Sequence, residues 1–253
     1  MLRRAMSHAF TKAVVIGASS GIGESIAKRL SSEGVAVALV ARRKDELERI
    51  YSGLVHRETA HVYVHDVTKF DEVPALFDQI VKDLGGLDLL VYAAGVMPKI
   101  DEGEYSFDKD RQMVEVNLLG AMAWMNPSAA HFEAQRKGTI VGISSIAGER
   151  GRRGSPAYCT SKAALTTYLE SLRNRTSRYG VNVVTIKPGF VDTQMTRGKP
   201  GLFWLISSDQ AAETSLAIAS DTTSPEAFVP ARWWLVAFIV RWIPSFIFRR
   251  LSF

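Results

Sequence analysis

The chain has 253 residues, of which 47% are hydrophobic, and a single cysteine, Cys159. This length suits one α/β domain with a large core. One cysteine excludes an internal disulfide framework and fits a reducing compartment, so we expect a cytoplasmic protein. The basic N-terminus lacks the apolar stretch of a signal peptide. The net charge of +5, without a nucleic-acid-binding module, favours phosphate groups or anionic lipid over nucleic acid.

The chain begins its predicted structure with a strand over 12–16, followed by the glycine-rich segment 17–23 (GASSGIG) and a helical apolar repeat that stops at Gly34. A strand, glycine turn and helix in direct succession form a phosphate cradle, because the glycines allow close backbone approach and the helix N-terminus favours an anion. The loop residues expected to contact a dinucleotide are Gly17, Ser19, Ser20, Gly21, Ile22 and Gly23.

The second predicted strand, Val35–Val40, leads into Arg42 and Arg43. About 20 residues beyond such a glycine loop, an acidic residue would bind the ribose 2′-hydroxyl of NAD. Guanidinium groups suit a 2′-phosphate instead, so this pair favours NADP(H). The alternative is a solvated basic loop.

Further apolar runs predict five more strands, separated by helical patterns. The strands are His61–His65, Leu87–Tyr92, Gly138–Ile143, Val181–Ile186 and a short one near Ala227–Val229, and the helices lie at about 71–84, 111–125, 157–179 and 209–220. Strands that are near-continuously apolar and alternate with helices are typical of a buried parallel sheet. We therefore predict a single-domain α/β protein, a Rossmann-type doubly wound parallel sheet of about seven strands with helices on both faces.

The fifth strand runs into Ser144 and Ser145, and the following helix carries Tyr158 and Lys162. These last two are i and i+4, so they share one helix face. A nearby ammonium lowers the pKa of a phenol, which suits acid–base chemistry. A Tyr–Lys pair on an ordinary exposed helix is the alternative reading, and we assign neighbouring Cys159 a packing role.

In this order and spacing, the glycine segment, the Tyr-x-x-x-Lys pair and the other features resemble the short-chain dehydrogenase/reductases, over residues 12 to about 230. The resemblance implies that Tyr158 is the proton donor and acceptor at the substrate oxygen. Lys162 would lower its pKa and bind the nicotinamide ribose. Ser145, thirteen residues before the tyrosine, would bind the substrate carbonyl, and Asn117 would hold a water that links Lys162 to solvent.

The resemblance also implies the remaining cofactor contacts. They are Asp66 and Val67 at the adenine, Val191 and Thr193 at the nicotinamide, and Ala93, Ala94, Gly95, Pro188 and Gly189, with Tyr158 and Lys162 also contacting the cofactor; no metal is implied. Two positions depart from the family pattern: Ile16 stands where Thr is common, and Ala93 where Asn is common. Both departures put local loop geometry in doubt rather than the chemistry.

The segment 194–208 is irregular and rich in large apolar groups, which predicts a lid over a hydrophobic pocket or, alternatively, a plain surface loop. The catalytic domain would span 1–230. The last part, 231–253, is apolar, aromatic and basic. Because arginines and a proline interrupt it, we predict a segment that lies on a membrane surface, or else an arm that packs on protein.

This tail and the segment 147–153 (AGERGRR) are similar to keto-sugar reductases that act on decaprenyl-phosphoryl pentoses. The similarity suggests that Arg150, Arg152 and Arg153 meet a lipid-linked phosphate.

The sequence therefore predicts an NADP(H)-dependent oxidoreductase that interconverts a carbonyl and an alcohol on a hydrophobic substrate, which could be a lipid or lipid-linked. The alternative is a non-catalytic, membrane-associated NADP(H) sensor or scaffold. The resemblance further implies a homodimer or homotetramer. The composition of 231–253 suggests peripheral contact with the inner face of a membrane.

Overall fold

The computed structural model describes residues 10–101, 103–199 and 201–251. Most of the N-terminal segment that was assessed for a signal peptide, residues 1–9, lies outside the described residues. Pro200 of the expected lid also lies outside them. The strands are β1 Lys12–Ile16, β2 Ala36–Ala41, β3 Ala60–Val64, β4 Leu89–Tyr92, β5 Gly138–Ile143, β6 Val181–Pro188, β7 Val191–Asp192, β8 Ile206–Ser207 and β9 Glu226–Val229. The helices are α1 Gly21–Ser32, α2 Lys44–Ser52, α3 Val73–Leu84, α4 Phe107–Val114, α5 Gly120–Gln135, α6 Pro156–Thr176, α7 Ser208–Ser220, α8 Trp233–Trp242 and α9 Ser245–Phe248.

Seven strands form one parallel sheet in the order β3-β2-β1-β4-β5-β6-β9. Strands β1 to β3 are added toward one edge of the sheet, and β4, β5, β6 and β9 toward the other, so the strand order reverses between β1 and β4. Ligands of open α/β sheets bind at the carboxyl ends of the strands beside such a point. The predicted doubly wound parallel sheet is confirmed. A separate two-stranded pair, β7 with β8, lies outside it.

Apolar side chains cover both faces of this sheet, as the near-continuous apolar strands predicted. One core cluster joins the strands to α1, α2 and α7, and a second joins them to α3, α5 and α6. Trp124 and Phe132, both fully buried, fill the second cluster. The two layers of helices fix the strand ends, and with them the loops that carry the chemistry.

Two stretches differ from the sequence-based prediction. Helix α2 was missed, although Leu47 and Ile50 three positions apart are buried and give it an amphipathic pattern. The helix expected over 111–125 is interrupted by a π-helical segment, Glu115–Leu119, between α4 and α5. Single π turns inside α-helices occur frequently at functional sites.

The C-terminal segment continues the domain as α8 and α9. Trp233 and Ala237 are buried against the rest of the molecule, while Trp234, Phe238 and Trp242 are more than half exposed. One face of α8 thus packs on protein, and the other faces outward. Within the described residues, no helix is both long and apolar enough to cross a membrane.

Candidate active site

A cavity of about 950 Å³ lies at the carboxyl ends of the strands, where the topology predicts a ligand site. At one end it is lined by the glycine loop, Arg42 and Arg43. At the other end it is lined by Ser145, Tyr158 and side chains of α8. The cavity therefore brings the predicted phosphate cradle and the predicted catalytic residues into one site.

The glycine loop is built for close backbone approach. Gly17 has φ of +89°, and a Cβ there would lie 2.4 Å from the backbone nitrogen of Ala94; a Cβ on Gly23 would lie 2.3 Å from the Gly17 carbonyl oxygen. Larger residues are excluded at both positions, and the start of α1 faces the cavity through Gly21 and Ile22. Despite the unusual Ile16 and Ala93, the strand ends remain joined, because the Ala93 nitrogen donates to the Ile16 carbonyl at 2.8 Å.

Arg43 lies over this loop. Its guanidinium donates to the hydroxyls of Ser20 at 2.7 Å and Ser19 at 3.0 Å, and to Gln194 at 3.1 Å. The neighbouring Arg42 is half exposed, with Nη1 3.5 Å from Asp66. Two guanidinium groups beside the cradle at the end of β2 suit a phosphate on the ribose.

Asp66 and Val67 occupy the turn after β3. The Asp66 carboxylate accepts hydrogen bonds from the backbone and hydroxyl of Thr68 at 3.0 and 2.8 Å. Burial opposes ionisation, but these bonds and the charge of Arg42 together hold the pKa of Asp66 below its ordinary value. Val67 lines the cavity directly. Asp66 is not among the cavity-lining residues. Its contacts hold the turn through Thr68 and orient the guanidinium of Arg42.

The two serines after β5 have different partners. The Ser144 hydroxyl donates to the Lys162 carbonyl at 2.9 Å and lies 2.8 Å from the Thr166 hydroxyl. Both hydrogen-bond partners of this hydroxyl are therefore on α6. The Ser145 hydroxyl accepts from the Ala147 nitrogen at 3.0 Å and lies close enough to Tyr158 to influence the pKa of that phenol. This geometry favours Ser145 as the serine that acts on a substrate.

Tyr158 and Lys162 lie one turn apart on α6, both buried. Burial raises the pKa of Tyr158, against the opposing effects of the Ser145 hydroxyl and the charge of Arg152. The expected lowering of this pKa by Lys162 stays a prediction. Its ammonium lies 5.9 Å from the Tyr158 ring centroid and donates to the Ile143 carbonyl at 2.9 Å. Burial lowers the pKa of Lys162 to about 8.

Asn117 sits in the π-helical segment with no solvent exposure. Its side-chain amide bonds both backbone groups of Val96, at 2.7 and 3.0 Å, and donates to Ser161 at 3.1 Å. A Cβ on Gly95 would lie 3.5 Å from Asn117 Oδ1 and 3.6 Å from Lys162 Nζ. Asn117 is therefore held on the side of Gly95 next to Lys162, as a proton relay would need.

The loop after β6 completes the cavity with Pro188, Gly189, Val191 and Thr193. A Cβ on Gly189 would lie 1.9 Å from Trp233 Nε1, so α8 packs directly on this backbone. Phe190 and Phe203 join Trp233 in an aromatic cluster with centroid separations of 5.0 to 5.6 Å. In this way part of the predicted lid and part of the tail share one wall of the site.

The basic loop 147–153 is only partly available for a ligand. Arg150 lines the cavity, but its Nη1 donates to the carbonyls of Val240, at 2.8 Å, and Ile243, so part of its guanidinium binds the end of α8. Arg152 and Lys199 both line the cavity. They lie close enough that the charge of Arg152 contributes to lowering the pKa of Lys199, after the larger effect of burial. Sequence reasoning missed Lys199, because nothing in the irregular segment predicts its approach to a residue 47 positions earlier.

A dinucleotide cradle combined with Ser145 and the buried Tyr158 and Lys162 defines a class of cofactor-dependent oxidoreductases. Residues 11–200 match the family model described as short chain dehydrogenase, and the chain belongs to this family. It is 36% identical over 184 residues to an uncharacterized oxidoreductase of Staphylococcus aureus strain MRSA252, covering 73% of this chain and 79% of that one. It is 37% identical over 194 residues to another from Staphylococcus saprophyticus, covering 76% and 78%.

Solved structures with the same fold include three proteins that bind NADP-type cofactors. ElxO with NADP bound has a TM-score of 0.77 at 22% identity, covering 87% of this chain and 96% of that one. A variant of actinorhodin polyketide ketoreductase with NADPH has a TM-score of 0.77 at 24% identity, covering 87% and 95%. An alcohol dehydrogenase from the archaeon Thermococcus sibiricus, complexed with 5-hydroxy-NADP, has a TM-score of 0.76 at 28% identity, covering 87% and 95%.

Proposed function

We propose that the protein is an NADP(H)-dependent oxidoreductase that interconverts a carbonyl and an alcohol on a hydrophobic substrate. The observation that carries this proposal is that Ser145 and Tyr158 line one cavity together with Lys162, the glycine cradle and Arg42–Arg43. The cofactors in the related solved structures support the choice of NADP(H). A sensor or scaffold needs no such pair.

The residues present fit this cofactor, because the absence of a side chain at Gly17 and Gly23 lets the loop turn tightly against Ala93, Ala94 and the start of α1, and Arg42–Arg43 suit its 2′-phosphate. Bound NADPH supplies the hydride for the carbonyl carbon. The Ser145 hydroxyl donates a hydrogen bond to the carbonyl oxygen, and Tyr158 transfers its phenolic proton to that oxygen as negative charge develops. The raised pKa of Tyr158 keeps this proton in place until then.

A hydrophobic substrate is supported by the far end of the cavity. This wall is formed by apolar side chains from the loop after β4, the lid segment, α8 and the residue that follows α8. They are Met97, Met195, Leu202, Phe203, Trp233, Val236, Ile239, Val240 and Ile243. Each Å² of apolar surface that is buried contributes about 25 cal/mol to binding, so this wall favours long apolar substrates over short ones.

An anionic group on the substrate is supported by Arg152 and Lys199. The Nε of Arg152 is buried and has no hydrogen-bond partner among the described residues. Burial, and then the charge of Arg152, lowers the pKa of Lys199. No carboxylate is among the described residues that line the cavity. A phosphate, as in a lipid-linked substrate, would relieve this concentration of positive charge.

Peripheral membrane contact is supported by the outer face of α8 and α9. Large apolar side chains on this face, including Trp234, Trp242 and Phe246, are 59 to 71% exposed, and Arg249 and Arg250 follow at the end. Aromatic and basic residues together suit the surface of an anionic leaflet. Since the other face of α8 lines the cavity, a lipid substrate would have a short path from membrane to site.

The deciding experiment measures NADPH oxidation against methyl ketones of rising chain length, with and without a terminal phosphate. We expect kcat/KM to rise with chain length and to be highest with phosphate. Arg152→Gln should lose about tenfold of the phosphate preference, whereas Arg153→Gln, which changes an exposed neighbour, should keep it.

Tyr158→Phe should reduce turnover of the best ketone by about 10³-fold while NADPH affinity stays within about twofold, because only the transferred proton is lost. Substantial turnover by this variant would contradict the mechanism. Failure of the unaltered protein to reduce any ketone in the series would favour the sensor or scaffold instead.

A further inference from the structure

A buried group of charges connects four segments around the active site. The ammonium of Lys187 lies 2.6 Å from Glu149 Oε1 and 2.5 Å from Glu226 Oε1. The second Glu149 oxygen, Oε2, accepts from Arg241 of α8. The side chains of Glu149 and Lys187 are 3% and 2% exposed, whereas that of Arg241 is 59% exposed. The four charges sum to zero, so each buried charge has a partner of opposite sign, as burial requires.

Glu149 ends the short 3₁₀ turn that begins directly after Ser145. The preceding residue, Gly148, packs so tightly that a Cβ on it would lie 2.8 Å from the Ala163 nitrogen and 2.9 Å from the carbonyl carbon of Lys162. The backbone that carries Ser145 is thus pressed against α6 at the level of Lys162. A change in the position of Glu149 would move Ser145 relative to the Tyr158 hydroxyl.

Lys187 stands next to the Gly189 loop on the opposite side of the site, as Glu149 stands next to the Ser145 loop. It directly precedes Pro188 and Gly189, which line the cavity. The C-terminal helix contacts this side as well, since Trp233 packs on the Gly189 backbone. Arg150, next to Glu149, binds the final carbonyls of α8. The helix α8 is therefore attached both to the Ser145 loop and to the Gly189 loop.

From these contacts we infer that Glu149 is a positioning residue, which with Lys187 and Arg241 sets the Ser145 and Gly189 loops against each other and against α8. Geometry errors of about 1 Å at reacting groups reduce rates by about 10²-fold. The C-terminal helix then contributes to catalysis as well as to the cavity wall. The kinetic consequence rests on the proposed function; the structural consequence does not.

The structural test uses hydrogen exchange of the full-length protein without substrate. Arg241→Met removes the exposed end of the group and leaves Lys187 between its two carboxylates, so the variant should remain folded. We expect amide exchange to accelerate by about threefold or more in both 144–150 and 187–191. The control is Arg49→Met, which removes an arginine of 53% side-chain exposure, paired with Glu24 and Glu46 on α1 and α2, and should leave both segments unchanged. Equal exchange in the two variants would overturn the inference.

The kinetic test uses the ketone that the unaltered protein reduces best. Arg241→Met should lower kcat by about tenfold, while NADPH affinity, measured by energy transfer from tryptophan, stays within about twofold. Glu149→Gln should lower kcat as well. The variant that combines Glu149→Gln with Arg241→Met should have a kcat little lower than Glu149→Gln alone, because both changes break the same Glu149–Arg241 ion pair. Additive losses, or equal losses in kcat and NADPH affinity, would show a general structural effect and refute the inference. A protein that reduces no ketone but shows the exchange pattern would refute the proposed function only.

Discussion

Arg42 and Arg43 reach the cavity in different ways, which makes cofactor choice testable at the level of single side chains. Arg43 is held over the glycine loop by Ser19 and Ser20, while Arg42 extends toward Asp66. We expect Arg42→Gln and Arg43→Gln each to weaken NADPH binding by about tenfold, since a charge-assisted bond to the 2′-phosphate is lost.

NADH affinity should stay within about twofold in both variants, because NADH carries no 2′-phosphate. Lys44→Gln serves as the control, since Lys44 is 69% exposed and paired with Glu48. Fluorescence titration with both cofactors decides the matter; equal NADPH and NADH affinities in the unaltered protein would contradict the assignment.

Lys162 makes stability depend on pH in a direction that follows from its burial. Its pKa is about 8 in the folded protein, below the ordinary 10.5. Between these values the unfolded chain holds the proton and the folded protein does not, so stability rises with pH across this range. Relative to Lys162→Met, which has no such group, the free energy of unfolding should rise by about 3 kcal/mol from below pH 8 to about 10.5.

Chemical denaturation of both proteins without cofactor, at a series of pH values, measures this difference. Titrations of other groups are common to the two proteins and cancel. A constant difference across the range would mean that the Lys162 ammonium is not disfavoured by burial.

At the scale of elements, α8 separates two surfaces that the sequence presented as one apolar segment. Trp234 and Phe238 stack outside with centroids 5.9 Å apart, whereas Trp233 lies inside. Replacement of Trp234, Phe238 and Trp242 by Ser should reduce sedimentation with phosphatidylglycerol-containing vesicles by about tenfold. Reduction of a soluble ketone should remain, because these three side chains do not line the cavity.

The matched control replaces Val55 and Tyr105, which are 65% and 99% exposed elsewhere on the molecule, by Ser. This control should sediment with vesicles like the unaltered protein. If the α8 variant also sediments unchanged, the outer face of α8 is not a membrane-binding surface.

Elements with a strong local pattern could be predicted from the sequence, and those fixed by distant contacts could not. The seven sheet strands followed from apolar runs, and the glycine loop followed from its position between β1 and α1. The roles of Glu149 and Arg150 did not follow, because their partners lie 38 to 93 positions away, in β6 and at the C-terminal end of α8. Lys187, the only charged residue of strand β6, was the one available signal of a buried ion pair.

At the scale of the whole molecule, the expected homodimer or homotetramer remains a prediction. The surface implied by the family contains the π-helical segment and α6, and Leu119 on this segment is 40% exposed. Analytical ultracentrifugation should show two or four chains, and Leu119→Glu should yield the monomer because a charge cannot be buried unpaired. Val64→Glu, at a 54% exposed position on β3, should retain the assembly. A monomeric unaltered protein would contradict the prediction.

The contact between Trp233 and Gly189 has a consequence for biosynthesis. All seven strands of the main sheet precede α8 in the chain, so the ribosome releases the complete sheet before the helix that closes the substrate end. A nascent or prematurely terminated chain that ends near residue 230 would carry the cradle and the Ser–Tyr–Lys arrangement, yet its cavity would lack a wall. The catalytic chamber is therefore completed only after α8 has been synthesised and has packed on the Gly189 backbone.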